Sequence, residues 1–164
     1  MKIETYQWKD YGKEFLLLAL VSFPLHFAWE NAQCSIFFIH GEQNPGIMSM
    51  VRATLGDVVM TWIDFGFVAA LVGDRNWLSK PWKISHWSAS ILMALVMSIA
   101  MELYGMGQGH WQYTSAAPLI PGTSISLIPV LQLIILIPAS FWIAGQIIFR
   151  SKRTRMHSVS GSGN

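Results

Sequence analysis

Charge is what this chain has least of. Lys, Arg, Asp and Glu make up 12% of its 164 residues, about half the share of roughly 25% found in ordinary soluble domains. A surface that faces water on all sides is therefore excluded. Cysteine is also nearly absent: Cys34 stands alone, which rules out an internal disulfide framework and any CxxC metal or redox pair. There is no glycine-rich phosphate loop, no GxGxxG and no internal repeat, and no basic stretch interleaved with aromatics that would suit nucleic acid. What is abundant is apolar: 52% hydrophobic residues, with eight Trp.

The apolar residues fall into four segments, approximately 15–39, 55–73, 84–105 and 125–149, each near the ~20 residues that a helix needs to cross a bilayer core. The first is too long for a secretory h-region and carries Glu30 in its interior, so it reads as a retained membrane helix. Lipid requires backbone groups to be satisfied within the segment, and runs of this length do so as helices. The expected fold is all-α: a polytopic four-transmembrane-helix bundle over residues 1–150. A tail, 151–164, follows; it is basic as far as Arg155 and then Gly/Ser-rich (MHSVSGSGN), and its composition predicts disorder.

Lys and Arg are distributed unevenly around these segments. Ten lie before the first, between the second and third, or after the fourth, and only Arg52 lies in the other two connections. The positive-inside rule then predicts cytoplasmic N- and C-termini. Trp8, Trp77, Trp82 and Trp87 are expected at the inner interface, with Tyr104, Trp111 and Tyr113 at the outer one. His40 and His86 are expected near the interfaces without a role.

Against this background the stretch HFAWENAQ, residues 26–33, is out of place. Ser22, His26, Glu30 and Gln33 recur at helical spacing and form one stripe. Asp57, Thr61 and Asp64 do the same in the second segment, and Ser90, Ala94, Ser98 and Glu102 in the third. In the fourth, Gln132 lies on a line with Ala139 and Gln146. Small residues allow close helix approach in lipid, and polar ones seek partners across the interface, so the four edges are expected to face one another.

At 1.5 Å rise per residue, His26 and Asp64 fall near the midplane, Glu30 and Gln132 on the order of 6 Å outward, and Asp57 and Glu102 about 10 Å outward. A charged Asp near a helix centre costs about 2.5–3.5 kcal/mol. Several such groups at one level imply pairing, protonation, a wet cavity or a bound cation. The candidate catalytic set is His26, Glu30, Asp57 and Glu102. Candidate substrate-binding residues are Trp29, Asn31, Asp64, His110, Trp111, Tyr113 and Gln132. HxxxE on one helix face, with Asp57 and Glu102, also offers an N,O ligand set for a divalent metal. HWQY (110–113) reads either as a cap over the bundle mouth or as an aromatic anchor. Pro129 and Pro138 are expected to bend the fourth helix, and Arg52 is placed to pair with Asp57.

The series WENAQ (29–33), TLGD (54–57) and the pattern Glu102, Trp111, Tyr113, Pro118, Pro121, Gly122, Pro129 to Gln132 resembles a group of small bacterial multi-helix integral membrane proteins. The resemblance spans residues 26–132 and implies a multi-pass protein of the bacterial inner membrane. It singles out Trp29, Glu30, Asp57, Glu102, Trp111, Tyr113 and Gln132, and implies no particular reaction or cofactor. Three functions fit the residues: a membrane-embedded enzyme using acid–base or metal-assisted chemistry on a lipid or isoprenoid, a non-catalytic subunit of a membrane-protein assembly, and a module moving protons or small cations. Membrane lipid is the expected partner of the first and a second membrane protein that of the second.

Overall fold

A computed structural model describes the chain over residues 7–39 and 46–160, with side chains described for 12–39 and 46–151. Four helices are joined by a two-stranded clip and a single 3-10 turn: α1 (Gln7–Phe37), β1 (Phe38–Ile39), α2 (Ile47–Val72), the turn Trp77–Ser79, α3 (Ile84–Gly107), β2 (Gln112–Tyr113) and α4 (Leu127–Ser160). All four helices contain a stretch long and apolar enough to cross a membrane. The architecture is that of a multi-pass membrane protein, an all-α four-helix bundle. Successive helices run antiparallel and pack in a ring, α1 on α2, α2 on α3, α3 on α4 and α4 on α1.

The helix ends follow from local chemistry. Gly73 takes the left-handed conformation (φ 65°) and closes α2; the Asp74 amide then reaches back to the Ala69 carbonyl at 3.2 Å, the usual way a glycine satisfies orphan carbonyls. Ser126 precedes α4 and its hydroxyl accepts from the Ile128 amide at 3.3 Å, as an N-cap serine does. Pro129 sits in the first turn of α4, where no intrahelical N–H bond is lost, and of the two only Pro138 lies in the interior of α4. α2 begins eight residues earlier than the hydropathy suggested. α4 continues through Ser160, past Arg155, where composition suggested that order ends; residues 161–164, like His40 and the side chain of Trp8, lie outside the described residues.

The two ends of the bundle differ. At the end holding the 73–83 connection the core is apolar and aromatic: Leu18, Phe65, Val68, Trp77, Leu78, Ile137 and Phe141 are buried together. Trp77, carried by the short 3-10 turn, is fully buried. Its indole donates to the Phe65 carbonyl at 3.4 Å, and its ring lies edge-on to Phe141 at 5.3 Å. At the other end β1 and β2 pair antiparallel, Phe38 with Tyr113 and Ile39 with Gln112. Thr114 extends this clip: its amide donates to Phe37 O at 2.9 Å and its hydroxyl to Ile36 O at 3.0 Å. Carbonyls left over at the end of α1 thus find donors from a loop more than seventy residues away.

Candidate functional site

The buried polar groups of α1, α2 and α4 meet at the clip end of the bundle. Trp29 donates its indole N–H to Gln33 Oε1 at 3.0 Å. Gln33 Nε2 in turn donates to Glu30 Oε1 and to Gln132 Oε1, both at 2.9 Å. Gln132 Nε2 then lies 2.8 Å from Asp57 Oδ2 and 3.0 Å from Glu30 Oε1. An indole nitrogen can only donate, and an amide has one donor end and one acceptor end. The direction of each bond in the chain therefore follows from the first, and the NH₂ of Gln132 must face the two carboxyl groups.

His26 backs this arrangement. Its Nδ1 is 3.4 Å from Asp57 Oδ2 and 3.3 Å from Gln132 Nε2. His26 is fully buried and does not line the neighbouring cavity; it braces Asp57 from behind.

That cavity, ≈ 290 Å³, is lined by Glu30, Asp57 and Glu102 together with Gln33, Gln132, Ser98 and apolar walls that include Phe38, Met60, Trp111 and Leu133. The exposed members of its lining are Arg52, Ala53, Gly56 and Met101. All four belong to α2 and α3, so the cavity's exposed lining lies on those two helices. A Cβ built on Gly56 meets nothing within 4 Å, which leaves the exposed lining unobstructed there.

Glu102 enters from α3 with separate partners. The Tyr113 hydroxyl donates a hydrogen bond to Glu102 Oε2, and the Tyr113 ring lies 5.1 Å from Phe38. Burial, followed by the bond to Glu102, holds the Tyr113 phenol well above its ordinary pKa, so it remains a donor. Trp111 packs over Gly105, where an added Cβ would lie 2.0 Å from the indole ring. The 110–113 stretch is thus a cap: its residues 112–113 are clipped to β1 and Trp111 closes the cavity.

Other sequence candidates lie apart. Asp64 is fully buried in the apolar half and accepts from Ser90 at 2.9 Å. Asn31 is exposed, its amide bonded to the Phe27 carbonyl at 2.7 Å. His110 is exposed, with its ring 5.7 Å from Tyr104 and 6.3 Å from Trp111. Arg52 lines the cavity but forms no ion pair among the described residues. Those residues also contain no group of three or more His, Cys, Asp and Glu that could hold a metal ion; of the possible ligand set His26, Glu30, Asp57 and Glu102, Glu30 and Asp57 accept from Gln132 and Glu102 accepts from Tyr113.

Three contributors were not singled out as site residues from sequence. Gln33 lies on the Glu30 stripe, four residues after Trp29, and that spacing was the available signal. Gly105, one turn after Glu102, and Phe38 owe their roles to a loop folding back, and nothing local marks them. Comparison of the chain with protein-family models, with curated proteins and with solved structures gives no match.

Proposed function

We propose that the protein is a membrane-embedded enzyme that performs acid–base chemistry on a lipid or isoprenoid admitted sideways between α2 and α3. One observation carries this reading: carboxyl groups from three helices, Glu30, Asp57 and Glu102, line a single cavity with largely apolar walls, whose exposed lining, a mouth in this reading, lies on α2 and α3. An apolar substrate reaches such a mouth directly from the bilayer. Carboxyl groups in different hydrogen-bonding surroundings can then divide the work of proton acceptor and donor. Glu30 and Asp57, held by Gln132, form one proton-transfer pair. Glu102, fixed by Tyr113, serves as the other group, and Trp111 excludes water above it.

Two further features support the reading. The positions singled out by the resemblance, Trp29, Glu30, Asp57, Glu102, Trp111, Tyr113 and Gln132, are those that build the cavity and its network. The bias of Lys and Arg favours cytoplasmic termini, which would set the cavity in the outer half of the bacterial inner membrane.

Lipid-resolved mass analysis of membranes containing wild-type protein, or the Glu30→Gln, Asp57→Asn or Glu102→Gln variants, tests the proposal. The expected outcome is one lipid or isoprenoid class that changes with wild-type protein and reverts in all three variants. Identical profiles throughout would sink it. If the profiles are identical and a co-purifying membrane protein is lost on Glu102→Leu, the chain is a non-catalytic subunit instead.

A further inference from the structure

A second polar cavity lies at the opposite end of the bundle, remote from the acidic one. Its volume is ≈ 670 Å³, and it is lined by Leu71 and Val72 at the end of α2, by Asp74, Lys80 and Lys83 of the connection, and by Ser85 and His86 in the first turn of α3. The charges are not equivalent. Lys80 Nζ is 2.6 Å from Asp74 Oδ2, and that bond holds the Asp74 carboxyl below its ordinary range. The acid is thus already neutralised from within the cavity wall, whereas Lys83 has no ion-pair partner among the described residues.

His86 adds a fixed donor. Its Nδ1 accepts a hydrogen bond from the Lys83 backbone N–H at 3.0 Å. A nitrogen that accepts cannot carry the hydrogen, so the neutral ring bears it on Nε2. Only 8% of His86 is exposed, and the ring is stacked on Trp77 at 5.6 Å, which prevents it from turning. Nε2–H has no hydrogen-bond acceptor among the described residues. Lys83, His86 and Ser85 of the first turn of α3 therefore line one space together with the Asp74–Lys80 pair, Pro81 and the aliphatic Leu71 and Val72 of α2.

We propose that this cavity binds the phosphate of an anionic glycerophospholipid, with the acyl chains running along Leu71 and Val72. The apolar wall distinguishes a lipid phosphate from a free one: a soluble anion gains nothing from two aliphatic side chains beside its charge site. Helix amides and a lysine suit a phosphate oxygen, and Lys83 favours a headgroup with net negative charge over a zwitterionic one.

The test uses full-length protein in detergent, with retained lipid counted by native mass spectrometry. Phosphatidylglycerol, phosphatidylcholine, glycerol 3-phosphate and inorganic phosphate are offered in turn. Retention of one phosphatidylglycerol in preference to phosphatidylcholine is expected, with weakening of about fivefold in Lys83→Gln, the factor expected for one basic side chain near the surface. Ser85→Asp is the second variant: an acid in the first turn of α3 suits the helix dipole, so thermal stability should hold or rise while phosphatidylglycerol is lost. Equal retention of both lipids, or retention unchanged in both variants, would overturn the proposal. Displacement of the lipid by millimolar inorganic phosphate or glycerol 3-phosphate would overturn it too, by assigning the site to a soluble anion.

Discussion

The indole N–H of Trp29 and the amide oxygen of Gln33 lie 3.0 Å apart on one face of α1, and that contact sets the polarity of the whole site. Because the indole can only donate, Gln33 must present its NH₂ to Glu30 and to Gln132. Gln132 must then present its own NH₂ to Glu30 and Asp57. Trp29→Phe removes the determining donor. A loss of about 1 kcal/mol is expected, the ordinary net contribution of one hydrogen bond. The side-chain amide resonances of both Gln33 and Gln132 should also shift or double. Unchanged amide resonances would mean that the direction is set elsewhere.

Gln132 is the element with no substitute. It joins α4 to α1 and α2 through Gln33, Glu30 and Asp57. Gln132→Leu leaves these polar groups short of a partner, and each buried one costs about 1–3 kcal/mol. Denaturation in mixed micelles should therefore show a larger loss than for Trp29→Phe. A loss no greater than that of Trp29→Phe would show that the network is dispensable to the bundle.

Tyr113 provides a pH prediction. Its phenol is held above the ordinary value of 10.0 by burial and by Glu102. The folded state thus keeps a proton that the unfolded state releases. The associated stability is complete below pH 10.0 and declines as pH rises beyond it. Ultraviolet titration of the tyrosinate band should show Tyr113 resisting ionisation in the folded protein and ionising once the protein is unfolded. In Tyr113→Phe the alkaline decline should be smaller.

Gly105 and Gly56 predict opposite responses to added bulk. Gly105→Ala places a Cβ 2.0 Å from the Trp111 ring, so the cap must shift, at a cost of about 1–3 kcal/mol. Quenching of Trp fluorescence by a soluble quencher should increase as Trp111 is displaced. Gly56 meets no such neighbour. Gly56→Ala should keep or improve stability by about 0.5–1 kcal/mol, through helix propensity. Gly56→Phe should leave the fold intact while obstructing the mouth, and the lipid change expected of the wild type should fade. Full turnover in Gly56→Phe would place the entrance elsewhere.

The four helices were legible because their signal is local. An apolar run of some twenty residues needs no knowledge of its partners, and the stripe Ser22–His26–Glu30–Gln33 announces its face by spacing alone. The same logic identified Asp57, Glu102 and Gln132 as members of inward edges. It overreached at Asp64, which shares the α2 edge with Asp57 but sits two turns away in the apolar half, bonded to Ser90. It overreached also at Asn31, whose position inside WENAQ hides that it lies on the exposed face of α1.

Hydropathy and helical period, both properties of consecutive residues, determined the number of spans and the edge on which each carries its polar groups. Tertiary structure alone decided that the donor end of Gln132 occupies the space between Glu30 and Asp57, that Trp77 is core, and that Phe38 and Tyr113 clip the Trp111 cap above Glu102. These outcomes depend on contacts between residues tens of positions apart, and on hydrogen-bond direction passed from one side chain to the next. No periodicity in the chain encodes either.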